Sequence, residues 1–251
     1  MLSNLIWAIP FKRLRWHLLA KTRRLPPRSA MVKRINKRYE KVFGRKLDLQ
    51  NPLSWSEKIQ WLKLNYHNPD MVVAADKYAV RKFVESLGLG KLLVRSLGVF
   101  EKASDIDFGL LPNQFVLKVN HDSGGVIVVR DKNKIDELSI CDELQRRLDT
   151  PYIHGLRGGE WHYLFIRPCI VAEEYLGYLD TSALDYRIQC FNGEPRIIMV
   201  SGLIDGERYQ SLYDLEWNEL DASLKWRRFP FPVKRPDCWP ESSRSQKDRV
   251  L

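Results

Sequence analysis

The sequence has few of the residue patterns that mark metal sites, disulfide frameworks and membrane spans. It holds four cysteines in 251 residues, and none of them forms a CxxC pair, so neither a zinc site nor a disulfide framework is predicted. None of the five histidines stands at the spacing of metal ligands. No apolar run approaches the roughly 18 to 20 residues that cross a bilayer. We therefore expect a cytoplasmic protein.

Charge is distributed unevenly along the chain. The whole chain has a formal charge of +10, but residues 1–46 hold 14 Lys and Arg against one acid, a local charge of +13. Residues 47–224 hold 19 Lys and Arg against 27 acids, a charge of −8, and residues 225–251 carry +5. A nucleic-acid-binding domain more often has its positive charge on the folded body, so no nucleic-acid partner is expected.

The basic N-terminal leader, residues 1–46, is predicted to be a separate amphipathic segment. Its first 24 residues, MLSNLIWAIPFKRLRWHLLAKTRR, place charge after the apolar residues rather than before them, which is unlike a secretory signal. Two interpretations stay open. The leader is either a helix on an anionic membrane surface, which would make the protein peripheral on the inner membrane face, or an amphipathic helix docked on its own domain.

Turn and capping signals divide the rest of the chain into helices and strands. Ser54 followed by Glu57 is a capping-box pattern that begins a helix, and the Asn192-Gly193 pair predicts a hairpin turn. Further helices are predicted at 71–87, ending at Gly88, and at 132–148, and strands at 92–100, 115–130, 165–176 and 185–200. This mixture predicts an α/β (α+β) fold with antiparallel sheets and flanking helices.

The stretch FVLKVNHDSGGVIVVR, residues 115–130, contains a candidate anion site. Gly124 and Gly125 allow backbone amides to approach a ligand closely, Ser123 adds a hydroxyl donor, and consecutive amides in such a turn form an anion-binding nest. Lys118 interrupts the first β-rich run, and a buried lysine needs a carboxylate or a phosphate as its partner. A glycine hairpin with a nearby lysine salt bridge is the alternative interpretation.

Three further segments place charged residues at defined points of a predicted helix or strand. ADKYAVRKF places Lys77 and Arg81 four residues apart on a predicted helix, and VAEEYL, residues 171–176, ends a strand in two acids. DYRIQCFNG begins a strand in which Asp185 and Arg187 share a face, because strand side chains alternate. The order is therefore a helix lysine, a lysine before a glycine turn, an acidic strand end and an Asp/Arg strand.

This order resembles the ATP-grasp fold, and within it the TupA-like family named for teichuronopeptide biosynthesis. The similarity runs over roughly residues 35–240, from NPLSWSEKIQWLKL through ADKYAVR, LPNQFVLKVNHDSGG, VAEEYL, DYRIQCFNG and SLYDLEWN to KRP. It implies an ATP-dependent carboxylate–amine ligase that forms an acyl phosphate and serves cell-surface polysaccharide synthesis. It also implies ATP and Mg²⁺ as cofactors and an acidic sugar or amino-acid polymer as substrate.

The resemblance also implies roles for individual residues. Lys77 and Lys118 look like the two lysines that reach the nucleotide phosphates, and residues 120–125 look like the flexible loop that closes over them. Arg187, together with Lys118, is the implied catalytic group, since arginine stabilises a transferring phosphoryl group by charge-assisted hydrogen bonds. The other implied nucleotide-binding residues are Ser123, Gly124 and Gly125 in the loop, Glu173, Glu174, Tyr175 and Leu176 at the hinge that reads adenine, Asp180 at the ribose, and Asp185.

The C-terminal part departs from the family pattern. Acids that hold Mg²⁺ are expected after KRP at 234–236, where this chain has PDCWPESSRSQKDRVL, so no metal ligands are assigned and the last core strands are expected to be lacking. The segment YDLEWN, with Asp214 and Asn218, is interpreted as a structural hairpin and not as a metal site. The predicted domain is therefore 47–240, with 241–251 as a disordered tail.

Three functions stay open after this comparison. The preferred one is a ligase of the lineage described, which the missing Mg²⁺ ligands could leave inactive, because phosphoryl transfer requires charge neutralisation. The second is a glycosyltransferase acting on the same polymers. It would need an acidic metal motif, and the only match, DID at 105–107, lies in a predicted loop-to-helix segment. The third is a non-catalytic nucleotide-binding relic.

Overall fold

The computed structural model describes residues 2–176, 184–222 and 226–237. The chain forms two compact units, Met1–Tyr175 and Leu176–Leu251. The division between them falls inside the segment 173–176 that the sequence analysis interpreted as a hinge. Helices and antiparallel strands are mixed along the chain, which confirms the α/β (α+β) fold class with antiparallel sheets and flanking helices.

Helices of the leader pack into the first unit. They are α1 (Leu2–Trp7), α2 (Lys12–Lys21) and α3 (Arg28–Phe43), followed by α4 (Trp55–Asn65). Trp16 and Leu19 of α2 are almost completely buried, in a cluster that includes Ile35 of α3 and Leu156 from much later in the chain. The buried face of the leader therefore docks on its own domain, which is one of the two interpretations, while Leu5 and Phe11 of the leader stay exposed. Among the described residues, no helix has the length and apolar character needed to cross a bilayer.

Helix α4 begins as its capping box predicts. The Ser54 amide donates to Glu57 Oε2 at 2.8 Å, and the Glu57 amide donates to Ser54 Oγ at 3.3 Å. Arg45 of the leader pairs with the same carboxylate. The backbone hydrogen bond from Ser54, followed by the hydrogen bond from Arg45, lowers the pKa of Glu57 to about 2.

The predicted single helix over 71–87 is wrong, because it is divided in two. Helix α5 (Asp70–Ala75) ends before Asp76, and α6 (Ala79–Ser86) begins three residues later. Asp76 has an extended backbone, and its Oδ1 accepts hydrogen bonds from the Tyr78 and Ala79 amides at 2.8 and 3.2 Å. These bonds satisfy amides at the start of α6, so the chain turns at Asp76. Gly88 has the positive φ (74°) that suits the end of the helix.

A four-stranded antiparallel sheet occupies the rest of the first unit. Its strands are β1 (Ser96–Phe100), β2 (Phe115–Val119), β3 (Val126–Val129) and β4 (Ile170–Glu174), in the order β1-β4-β2-β3. Helices α7 (Glu137–Leu148) and α8 (Ile153–Gly158) lie between β3 and β4 in the chain. Phe115, Leu117 and Val119 are fully buried in a core with Leu144 of α7, which leaves Lys118 on the opposite face of β2.

The described part of the second unit contains one three-stranded antiparallel sheet. Its strands are β5 (Asp185–Phe191), β6 (Glu194–Ile204) and β7 (Glu207–Tyr213), paired in that order. Asn192 and Gly193 both have positive φ, 53° and 82°, so the predicted hairpin turn is confirmed. Asp205-Gly206 makes a second such turn before β7.

Candidate functional site

Lys118 belongs to a three-residue ion network on one face of the first sheet. Val116 lies opposite Glu173 and Lys118 opposite Val171, so Lys118 and Glu173 are diagonal neighbours on β2 and β4. Lys118 Nζ pairs with Glu173 Oε2, and Arg81 Nη1 of α6 lies 3.3 Å from Oε1 of the same carboxylate. The Glu173 side chain is only 10% exposed. Two cations therefore share one carboxylate, which leaves a net positive charge in this network.

Lys77 lies in the break between α5 and α6, beside this network. The prediction that Lys77 and Arg81 share one face of a helix is therefore wrong, since Lys77 lies outside the helix. Its Nζ donates to the carbonyls of Val119, at 3.1 Å, and of Asp122. Burial lowers the pKa of Lys77, the Asp122 carboxylate opposes this shift, and the neighbouring positive charge of Lys118 adds to it. The two candidate phosphate lysines thus meet at the base of the loop.

Asn120 anchors the beginning of the predicted phosphate loop. It is completely buried, and its Nδ2 donates to Asp76 Oδ1 at 2.8 Å and to the Arg167 carbonyl at 2.9 Å. Its Oδ1 accepts from the Cys169 amide at 2.8 Å. His121 is also buried, and burial lowers its pKa. Within residues 120–125, the exposed residues are Ser123 and Gly124.

The two glycines of this loop are required for different reasons. Gly124 has a φ of 86° and nothing within 4 Å of a Cβ position, so its conformation alone favours glycine. At Gly125 a Cβ would lie 2.3 Å from Asp122 Oδ2 and 2.5 Å from Arg147 Nη1. Asp122 and Arg147 form an ion pair of 3.1 Å, so any side chain at 125 would break or displace that pair.

The predicted adenine-reading segment ends strand β4. The Glu174 amide donates to the Arg95 carbonyl at 3.0 Å, and the Glu174 side chain is exposed, unlike that of Glu173. Tyr175 ends the first unit and is half-buried; Leu176 begins the second and is exposed. Asp180, the predicted ribose ligand, lies outside the described residues.

Asp185 and Arg187 are on one face of β5 in the second unit, as strand alternation predicted. Arg187 donates to Asp185 Oδ2 from Nη2 at 2.6 Å and from Nε at 2.9 Å. Both side chains are about half exposed, so the pair is accessible to an additional anion.

No metal centre is evident in the part of the chain that the structure describes, where no three His, Cys, Asp or Glu side chains lie together. In YDLEWN, Asp214 Oδ1 accepts from the Asn218 amide and Oδ2 from Asn218 Nδ2, both at 2.8 Å. These bonds close a turn after β7, as the structural interpretation of this segment expected. The described residues by themselves do not form a Mg²⁺ site.

Asp122 was predicted only as a member of the loop 120–125, Arg147 received no role, and Arg81 was placed without a partner. Arg147 is on α7, 25 residues from Asp122, and Arg81 is 92 residues from Glu173. No local spacing relates residues so distant in the chain. Of these three residues, only Asp122 had a sequence signal that could have marked it as part of the site, because it directly precedes the Ser-Gly-Gly turn.

The model of the family described as TupA-like ATPgrasp matches the chain over residues 57–230. The matched segment contains Lys77, Lys118, Glu173 and Arg187. None of the curated proteins and none of the solved structures compared with the chain matches it.

Proposed function

The chain belongs to the TupA-like ATP-grasp family, and we propose that it binds ATP at Lys77, Lys118 and the loop 120–125. Families of this type generally use ATP with Mg²⁺. The observation that carries the proposal is the meeting of the two lysines at the base of a loop whose exposed tip is Ser123-Gly124. Two half-buried ammonium groups and the amides of a glycine turn suit a polyphosphate.

We propose that the reaction is a carboxylate–amine ligation through an acyl phosphate, serving cell-surface polysaccharide synthesis. Bound ATP would supply the phosphoryl group that activates the carboxylate. Lys118 neutralises phosphate charge, and Glu173, which Arg81 also contacts, holds Lys118 in position. The Arg187 guanidinium stabilises the transferring group. Positioning and charge neutralisation account for most catalysis of phosphoryl transfer. The proposed substrate is an acidic sugar or amino-acid polymer.

Nucleotide binding followed by turnover tests this proposal. ATP should bind the full chain more tightly than a uridine sugar nucleotide does, as measured by isothermal titration calorimetry with and without Mg²⁺. ADP should then be released when polyglutamate or a polyuronate is supplied with an amine donor. Preference for the sugar nucleotide would favour the glycosyltransferase, and ATP binding without ADP release would favour the non-catalytic relic.

We also propose that the leader contacts an anionic membrane surface. Leu5 and Phe11 are 64% and 70% exposed within the strongly basic leader, a combination that favours anionic lipid. Changing both to serine leaves the buried Trp16 and Leu19 in place. Because burying each large apolar side chain contributes about 1.5–3 kcal/mol, co-sedimentation with phosphatidylglycerol vesicles should weaken by at least about tenfold.

The matched control for the leader is a double serine variant of Leu110 and Leu138, which are still more exposed and lie outside it. This control should bind vesicles as the unmodified chain does. Equal loss in both double variants, or no vesicle binding by the unmodified chain, would contradict the proposal.

A further inference from the structure

The first unit contains a second group of cations. None of them belongs to the lysine network, that is, to Lys77, Lys118, Arg81 and Glu173. The group lines a cavity of about 310 Å³ that α3, α4 and α8 enclose, here called the α3 cavity. Four basic side chains line it: Arg34, Arg38, Lys63 and Arg157. No acidic side chain is among its lining residues in the described chain.

The cations of the α3 cavity have few anionic partners. Lys63 Nζ donates to the Gly158 carbonyl at 3.1 Å and lies 3.8 Å from Glu160. Across the residues that the structure describes, Arg34, Arg38 and Arg157 have no carboxylate at ion-pair distance, and Arg157 Nε is buried without a hydrogen-bond partner. Burial lowers the pKa of Arg34, and the charges of Arg157 and Arg38 act in the same direction. The positive charge is therefore largely uncompensated.

The arginines are held in place by aromatic and backbone contacts. The guanidinium groups of Arg34 and Arg157 each lie 5.6 Å from the ring centre of the buried Trp16. Arg34 Nε also donates to the Arg157 carbonyl at 3.0 Å. These contacts fix the two side chains before any ligand arrives, so less rotamer entropy is lost on binding.

The remaining wall of the cavity is mostly apolar, with Ser56 and Gln60 as its uncharged polar side chains. It includes Tyr39, Val42, Phe43, Trp55 and Ile59. Val42, Phe43 and Trp55 are exposed on the surface, whereas Tyr39 is buried and its hydroxyl has no hydrogen-bond partner among the described residues. A ligand that fits must therefore combine a strongly anionic group with an apolar body.

We propose that the α3 cavity binds a phosphate monoester that carries an apolar substituent. A phosphate dianion offers three acceptor oxygens, which the planar donor fork of arginine matches in a bidentate way. It also compensates more of the cationic charge than one carboxylate would. The apolar substituent lies against Val42, Phe43 and Trp55 and removes their surface from water. This inference is independent of the proposed ATP site.

Isothermal titration calorimetry of the full chain with phenyl phosphate and with inorganic phosphate tests the site. Phenyl phosphate should bind one to one and more tightly than inorganic phosphate. Vesicles containing phosphatidic acid form a second arm. Saturable binding to these vesicles that exceeds binding to phosphatidylglycerol vesicles and is lost in Arg38→Gln, with no binding of phenyl phosphate, identifies a lipid as the source of the phosphate. Binding of phosphatidic acid vesicles no tighter than that of phosphatidylglycerol vesicles, together with no binding of phenyl phosphate, overturns the proposal.

Arg38→Gln is the decisive variant, because Arg38 lines the cavity, is exposed, and has no hydrogen bond or ion pair among the described residues, so we expect its loss to leave the fold intact. We expect it to raise the Kd for phenyl phosphate by about tenfold or more. Lys37→Gln removes the same charge from α3 at an exposed residue that does not line the cavity. Equal weakening by both variants would indicate diffuse charge attraction and overturn the site.

Two more variants separate the parts of the ligand and the two sites. Val42→Asn should weaken binding of phenyl phosphate and leave that of inorganic phosphate unchanged, since only the ester has an apolar body. Lys118→Met should leave the Kd for phenyl phosphate unchanged. A marked effect of Lys118→Met would assign the binding to the lysine network instead and contradict the proposal.

Discussion

Replacing Lys118 with methionine is expected to raise the Kd for ATP by about 10- to 150-fold. Methionine preserves much of the length of the lysine side chain and removes its charge. A hydrogen bond to a charged group contributes about 1.5–3 kcal/mol, and about 1.4 kcal/mol corresponds to a tenfold change in Kd. Lys118 is buried enough, at 21% exposure, that solvent does not screen away this contribution. Calorimetric titration with ATP measures the change directly.

The matched control for Lys118 is Lys134→Met. Lys134 is 82% exposed, and among the described residues its ion-pair partner is Asp131, three residues away. Lys134 has the same side chain and charge as Lys118, so Lys134→Met tests whether the loss of one positive charge anywhere on the chain explains a weaker affinity for ATP. Unchanged ATP affinity in Lys118→Met, or equal weakening in both variants, would remove Lys118 from the nucleotide site.

Glu173→Gln is expected to lower the free energy of unfolding by about 2–4 kcal/mol. The change keeps the shape of the side chain but leaves Lys118 and Arg81 without their shared carboxylate. Removing one member of a buried ion pair typically costs about 3–5 kcal/mol, since an uncompensated charge stays behind. The expected value is lower here, because the three side chains keep 10% to 21% exposure. Urea unfolding followed by circular dichroism measures it.

Glu174→Gln is the natural comparison, since Glu174 adjoins Glu173 and its side chain is exposed. A surface change of this kind should stay within about 0.5 kcal/mol of the unmodified chain. Combining Glu173→Gln with Lys118→Met should destabilise less than the sum of the single changes, because the uncompensated cation is removed. Strict additivity, or equal losses at 173 and 174, would show that Glu173 does not hold Lys118.

Features determined by neighbouring residues were predictable from the sequence. The capping box at Ser54 and the Asn192-Gly193 turn form as expected, because each depends on hydrogen bonds or φ values within four residues. Strand alternation likewise placed Asp185 and Arg187 on one face of β5. The family and the fold class followed from the order of several such segments.

The break at Asp76 was not predictable in the same way. The stretch 71–87 has the apolar residues and helix formers of one continuous helix. Asp76 nevertheless ends α5, and Asn120, 44 residues later, donates to its carboxylate from a buried position. Because that bond stabilises the turn only in the folded unit, helix propensity alone favoured the wrong structure.

By itself, the sequence determined which residues bear charge, where most helices and strands lie, and that Lys118 requires an anionic partner. The tertiary structure decided which anion that partner is. Glu173 was predicted at the hinge, but its pairing with Lys118 and Arg81 depends on the register of β4 against β2 and on the position of α6. Register and packing arise from burying the whole core at once, so no local pattern encodes them. The cations of the α3 cavity, drawn from α3, α4 and α8, come together for the same reason.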